Sequence, residues 1–315
     1  MVRIILILSF LISFPSFAEP HVDFEAAIAV MKKYYKFDKS NGDFGTSDEE
    51  YLNKMELILQ ELEQGIVKSL YLDPWKKKTT PPFTTIDVLN LYTSPLKSEY
   101  SNLQDRLLLE EMFSNLAFIN SGLPIRYRFK MLPLGNNIDA EQYRNIAGKD
   151  AESKKWALKW LVGHDKNLKK LRDEWGADVI LLNIGSKERL ASKNFTGNDP
   201  CGDSIREDVE DGEILLNKTA VAFLVDTGFC APLFISTHEL GHLFNLNHPT
   251  DVHEKKVNDD IYPYRFSMMG YRNDVCSKVT SEQCPRTLSF IPNSREKILS
   301  NYKRISSINP SKKWQ

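Results

Sequence analysis

The sequence predicts an α/β domain whose sheet is mostly parallel and whose strands are joined by crossover helices. Between residues 86 and 184, three apolar segments have the length and composition of strands, and a helical segment separates each from the next. Consecutive strands joined by helices pair in parallel through right-handed crossovers. No internal repeat or low-complexity segment competes with this interpretation.

The first strand of this series covers residues 86–92, and a helix is predicted at 101–120. The apolar residues of that helix recur at three- to five-residue spacing, as on one face of an amphipathic helix. Gly122 follows where a glycine commonly ends a helix. The connection from this strand to the next is therefore a crossover.

The remaining elements complete the sheet. Residues 125–131 alternate apolar and basic side chains, as expected for a strand with one buried face. A second helix at 152–175 leads into an apolar, central strand at 177–184. The polar, turn-rich residues 185–212 predict surface loops, and 214–225 predicts a further strand.

The first eighteen residues have the features of a secretory signal peptide. Arg3 precedes an apolar run at 4–14, and Pro15 is followed by small residues suited to cleavage after Ala18. That run is shorter than the roughly 20 residues needed to span a bilayer. We therefore expect a secreted or periplasmic protein with no membrane span in the mature chain.

A helical segment at 19–80 precedes the α/β domain. Apolar stripes predict helices within residues 24–71, and residues 38–50 resemble a calcium-binding loop too poorly to predict an ion site. The lysines and prolines of 74–82 predict an exposed, extended linker. The segment is either a removable propeptide or a permanent accessory unit, and it contains no cysteine.

Net charge and cysteine content limit the classes of function that the chain can have. A formal net charge of −1 gives no field that would collect nucleic acid or anionic membrane. An even number of cysteines in an exported chain predicts two disulfides, and Cys201–Cys230 with Cys276–Cys284 is the most local of the three pairings. The oligomeric state has no signature in the sequence.

The residues that carry chemistry lie at 236–248. His238 and His242 are four apart, so on a helix they lie about 40° apart and can bind one metal ion. Glu239 lies beside them, where a carboxylate can take a proton from water that the metal has acidified. This pattern predicts a hydrolytic metal site.

His248 is predicted to be the third ligand. It follows His242 by six residues, so on an unbroken helix it would point about 240° away. The helix must therefore end and reverse, and Asn245 is suited to the left-handed conformation of that turn. Three histidines leave one exchangeable position, as a catalytic zinc ion requires.

The segment resembles the HExxHxxGxxH motif of the metzincin zinc proteases, with Asn245 in place of the glycine. The family also has a methionine-containing turn beneath the metal, and residues 267–271 resemble it, with Met269 as the family methionine. The resemblance implies one catalytic Zn²⁺. It also implies that Tyr271 binds the metal or stabilises the developing oxyanion, as in the astacin and serralysin branches.

Upstream features are similar to the reprolysin branch: an Ala-Asp-Val-Ile-Leu-Leu strand, a Cys-Gly pair at 201–202 and Cys230 before the zinc helix. The resemblance covers residues 84–275 and implies an active-site helix and an irregular C-terminal subdomain. We expect the metallopeptidase domain to extend over 84–305. It further implies that a protein or peptide substrate binds in extended form along an edge strand. The expected activity is that of an exported zinc endopeptidase.

Two other functions remain open from the sequence. One is a zinc amide hydrolase that acts on a non-protein substrate or a cell-wall peptide. The other is a non-catalytic binding module that retains the fold. The presence of Glu239 beside the histidines favours catalysis over the binding module, and the absence of a recognisable wall-binding module favours a protein substrate.

Overall fold

The computed structural model describes the chain in fifteen segments, and the elements below lie within them. The described residues are 29–30, 33, 47–62, 64, 78–99, 103–134, 166–184, 202–204, 209–210, 213–214, 221–225, 232–247, 268–269, 288–290 and 292–306. The helices are α1 (Asp48–Glu61), α2 (Ser94–Glu99), α3 (Leu103–Asn120), α4 (Lys166–Trp175), α5 (Pro232–His242) and α6 (Pro292–Ile305). The strands are β1 (Thr84–Tyr92), β2 (Ile125–Pro133), β3 (Val179–Ile184), β4 (Gly202–Ser204), β5 (Val209–Glu210), β6 (Glu213–Ile214) and β7 (Val221–Val225).

The main sheet is mixed, with four parallel strands and one antiparallel strand. Its strand order is β2-β1-β3-β7-β4, and β1, β2, β3 and β7 run parallel. β4 pairs antiparallel with β7 and forms one edge of the sheet. The predicted α/β class and the predominance of parallel pairing are therefore confirmed for the described residues.

The predicted crossover from β1 to β2 is present, and Gly122 ends its helix. α3 ends at Asn120, and Gly122 follows with φ 70°. The backbone N–H of Leu123 donates to Phe118 O at 2.9 Å, which closes the last turn around that left-handed glycine. The helix predicted at 152–175 is described only from Lys166, and its earlier part lies outside the described residues.

The expectation of loops throughout 185–212 was wrong at two places. β4 and β5 both lie in this range. The Gly-Asp-Ser sequence of β4 has no apolar alternation, so no local pattern predicts a strand there. Its strand conformation comes from pairing with β7, which is a tertiary effect that the sequence pattern does not contain.

α1 belongs to the same apolar core as the sheet. Ser47 caps the helix by accepting a hydrogen bond from Glu50 N at 3.3 Å. The inward face of the helix is buried in one cluster with residues of α3 and β2, and its buried side chains are Tyr51, Met55, Ile58 and Leu59. Tyr51 packs edge-on against Phe83, with ring centroids 5.3 Å apart. A helix predicted in the N-terminal segment is therefore packed into the core that it shares with α3 and β2.

The predicted linker is exposed only in part. Lys78, Thr80, Pro81 and Pro82 are exposed, but Thr79 is buried and its hydroxyl donates to Ile119 O at 2.8 Å. The C-terminal end of the linker is therefore attached to α3, because a buried hydroxyl keeps its hydrogen bond.

No described helix combines the length and the hydropathy needed to cross a membrane.

Candidate metal centre

α5 is the element that carries the site, and it is held against the sheet by α3. It packs on α3, β4 and β7. The residues that precede the histidines are fully buried: Ser236 is 0% exposed and Thr237 is 1% exposed. The Thr237 hydroxyl lies 2.8 Å from the Ser114 hydroxyl of α3, which fixes the helix one residue before His238.

The structure brings His238, Glu239 and His242 together. Their potential ligand atoms all lie within 4.8 Å of one another, and all three side chains are buried. The two imidazole rings meet edge to face, with centroids 4.8 Å apart and an interplanar angle of 89°. This group can hold a metal ion, because imidazole and carboxylate are the ligands that divalent transition metals prefer.

Both imidazoles are oriented by backbone carbonyls. His238 Nδ1 lies 2.9 Å from Met268 O, and His242 Nδ1 lies 2.7 Å from Leu246 O. A carbonyl oxygen only accepts, so each Nδ1 carries the proton and donates it. When such a ring is neutral, Nε2 keeps its lone pair and is the atom left for a metal. The donor set therefore fits a metal ion such as zinc.

The chain reverses directly after His242, as the sequence predicted. Asn245 has φ 61°, and Asn245 N donates to His242 O at 2.9 Å. Asparagine tolerates this left-handed conformation better than other residues with a β-carbon. The reversal carries the Leu246 carbonyl back to the ring of His242. The turn at Asn245 thus helps to orient His242, a predicted metal ligand that precedes it in the sequence.

The methionine-containing segment lies directly beneath α5. Met268 and Met269 are both 0% exposed, and a β-carbon at Gly241 would overlap the Met269 sulfur and lie 3.3 Å from its terminal methyl carbon. The helix can approach Met269 this closely only because residue 241 has no side chain. Met269 is thus a packing residue beneath the site.

We expect Gly241→Ala to destabilise the fold by about 1–3 kcal/mol, the usual cost of overpacking a core. Alanine favours helix by about 1 kcal/mol over glycine, so a purely local effect would have the opposite sign. Chemical denaturation of the metal-free protein measures the difference. Equal or greater stability of the variant would show that Met269 moves aside at no cost.

Several predicted site residues lie outside the described residues. These are His248, Tyr271 and the four cysteines, Cys201, Cys230, Cys276 and Cys284. The third ligand, the oxyanion role and the disulfides therefore stay predictions.

Sequence reasoning missed the polar residues behind α5. Glu110 of α3 is 1% exposed, and burial raises its pKa to about 8, although Ser236, Arg106 and Asn90 each lower that pKa by a smaller amount. A glutamate in an amphipathic helix normally lies on the face exposed to solvent. The sequence therefore did not predict the burial of Glu110.

Glu110 gives the protein a specific pH dependence of stability. Its pKa of about 8 in the fold exceeds the ordinary value of 4.5, so between these values the folded state binds more protons than the unfolded state. The contribution of Glu110 to the free energy of unfolding is therefore fully present below about pH 4.5 and decreases as the pH rises toward about 8. We expect Glu110→Gln to abolish this loss, so that the variant gains up to several kcal/mol over the natural protein at alkaline pH.

Denaturant unfolding across this pH range measures the effect, with Glu296→Gln on the exposed face of α6 as the control. The control should follow the natural protein at every pH. Parallel stability curves for the natural protein and Glu110→Gln would contradict an unusually basic Glu110.

The sequence matches no protein-family model and shows no match to a curated protein. The solved structures that are distantly similar to this chain include the following two. One is described as a chaperone-substrate complex, with a TM-score of 0.46, 17% identity, and coverage of 73% of this chain and 36% of that chain. The other is metalloproteinase-II from Bacteroides fragilis, with a TM-score of 0.36, 13% identity, and coverage of 82% and 70%.

The present chain thus spans little more than a third of the first structure, 36% of its length. A distant structural neighbour is a metalloproteinase. Neither similarity assigns a family to the chain.

Proposed function

We propose that this protein is an exported zinc-dependent endopeptidase of the metzincin type. The proposal rests on the two buried imidazoles that lie beside Glu239. Each of them donates a hydrogen bond from Nδ1 to a backbone carbonyl. Two imidazole nitrogens and one carboxylate within 4.8 Å of one another are suited to metal-assisted hydrolysis. The metzincin motif at 238–248 adds His248 as the third ligand.

The zinc ion, held by His238, His242 and His248, would polarise the scissile carbonyl and make water more acidic. Glu239 accepts a proton from the attacking water while the new C–O bond forms at the carbonyl carbon. It then donates that proton to the amide nitrogen as the C–N bond breaks, which yields a free carboxyl group and an amine. Tyr271 donates a hydrogen bond to the carbonyl oxygen as negative charge develops there.

The position of the edge strand β4 is the basis for proposing a peptide substrate. It pairs with β7 on one side and lies against α5, which carries the histidines. We propose that an extended peptide pairs, through backbone hydrogen bonds, with the side of this strand that has no partner among the described strands. Such pairing positions a chain without demanding a particular sequence.

Incubation of the purified protein with unfolded casein tests the proposal. We expect cleavage that a zinc chelator abolishes and that added zinc restores. Cleavage of cell-wall stem peptides but not casein would favour the amide hydrolase, and bound zinc without any hydrolysis would favour the binding module. A mature N-terminus after Ala18 by mass spectrometry tests export.

We also propose that α1 is a permanent part of the enzyme and not a removable propeptide. Four of its side chains are buried in the common core, and Asp48 accepts a hydrogen bond from Phe83 N at 3.1 Å. Removing it would expose that apolar surface to water. After limited proteolysis within residues 63–77, we expect the N-terminal fragment to co-elute with the remainder in the absence of denaturant. Separate elution of a still-folded remainder would instead identify a propeptide.

A further inference from the structure

The C-terminal end of α3 is connected to the ring of His238 by consecutive hydrogen bonds. Asn120 Nδ2 donates to Leu288 O at 2.6 Å, and Phe290 N donates to the Ser121 hydroxyl at 2.8 Å. Both side chains are buried, with exposures of 0% and 1%. Asn120, the last residue of α3, and Ser121, which follows it, therefore hold the segment 288–290 from both of its ends.

The segment 288–290 in turn holds the carbonyl that orients His238. Met268 N donates to Ser289 O at 3.1 Å, and His238 Nδ1 donates to Met268 O at 2.9 Å. Phe290 also stacks on Phe118 of α3, with centroids 5.6 Å apart and an interplanar angle of 18°. Arg295 Nε donates to Phe290 O at 2.9 Å, so α6 fixes the same segment.

We infer that Asn120 is a positioning residue for the metal site, acting through residues 288–290 and the Met268 carbonyl to fix the orientation and tautomer of His238. The inference rests on the proposed function, because it assigns His238 as a metal ligand. Outer hydrogen bonds of this kind hold a ligating imidazole in the tautomer whose free nitrogen faces the metal. In the low dielectric of a buried network, a polar group that loses its partner is left unpaired at a high cost.

α3 supplies a matched control for a merely structural role. Asn115 is also 0% exposed, its Nδ2 donates to Tyr127 O at 2.9 Å, and its Oδ1 accepts from Tyr127 N at 2.7 Å. It holds β2 and makes no described bond to residues 288–290. Asn115→Ala should therefore lower stability without changing the orientation of His238.

The test compares the natural protein with Asn120→Ala and Asn115→Ala at a temperature below all unfolding midpoints. Zinc affinity, measured by competition with a chelator, should fall about 10- to 100-fold in Asn120→Ala and stay unchanged in Asn115→Ala. Ser121→Ala should show a smaller loss in the same direction. It keeps the inference testable if Asn120→Ala does not fold.

A second readout uses the metal-free protein. Nitrogen NMR shifts of His238 under mildly alkaline conditions, where imidazole is neutral, report which ring nitrogen carries the proton. We expect one Nδ1-protonated tautomer in the natural protein and in Asn115→Ala, and a mixture in Asn120→Ala and Ser121→Ala. The inference would be overturned if Asn120→Ala and Ser121→Ala kept the tautomer and the zinc affinity of the natural protein. Equal losses in these two variants and in Asn115→Ala would also overturn it. If the natural protein binds no zinc, the proposed function fails while the tautomer still tests the connection.

Discussion

Glu239→Ala is expected to reduce casein cleavage by roughly 10²- to 10⁴-fold, the usual contribution of a positioned general base. Glu239 lies within 4.8 Å of the potential ligand atoms of both histidines, where it can exchange a proton with water at a metal ion. Glu239→Gln should lose as much, because an amide keeps the shape of the side chain but does not accept the proton. Initial rates at saturating zinc give the comparison.

Two controls separate chemistry from structure. Both Glu239 variants should still bind one zinc per chain, since the proposed ligands are the histidines. Glu296→Ala, at an exposed position of α6, should keep full activity. Activity of Glu239→Ala within a few-fold of the natural protein would remove Glu239 from the mechanism, even if zinc is bound.

His242→Ala is expected to abolish both zinc binding and hydrolysis. The loss of affinity should exceed the roughly 10- to 100-fold that removal of an outer hydrogen-bonding partner costs, because a ligand itself is lost. His242 also links the end of α5 to the reversal at Asn245 through its bond to Leu246 O. Zinc content and chelator competition measure the change.

Metal-free stability provides the control for this second prediction. Without zinc, His242→Ala should be less stable than the natural protein, because it loses the buried bond to Leu246 O. Only the natural protein should gain further stability from added zinc. An equal gain in both proteins would mean that the metal binds elsewhere.

The sequence predicted those parts of the structure that depend on local patterns. Strict alternation at 125–131 predicts β2, and the spacing of His238, Glu239 and His242 predicts their convergence because both follow from fixed backbone periods. Asn245 was identifiable because few residues adopt φ 61° readily.

The parts that depend on tertiary contacts could not be predicted. The carbonyls of Met268 and Leu246 orient the two histidines, and a backbone carbonyl has no sequence signature. Asn120 resembles any polar residue at a helix end until Leu288 is placed beside it. β4 was missed for the same reason, because its strand conformation depends on β7.

X-ray absorption spectroscopy of the zinc-loaded protein tests whether three histidines hold one zinc ion. We expect one zinc with three imidazole nitrogens at about 2.0–2.1 Å and one further light-atom ligand. His248→Ala should lower the imidazole count to two. A natural protein with only two imidazoles, a sulfur ligand near 2.3 Å, or a spectrum unaffected by His248→Ala would contradict a catalytic three-histidine centre.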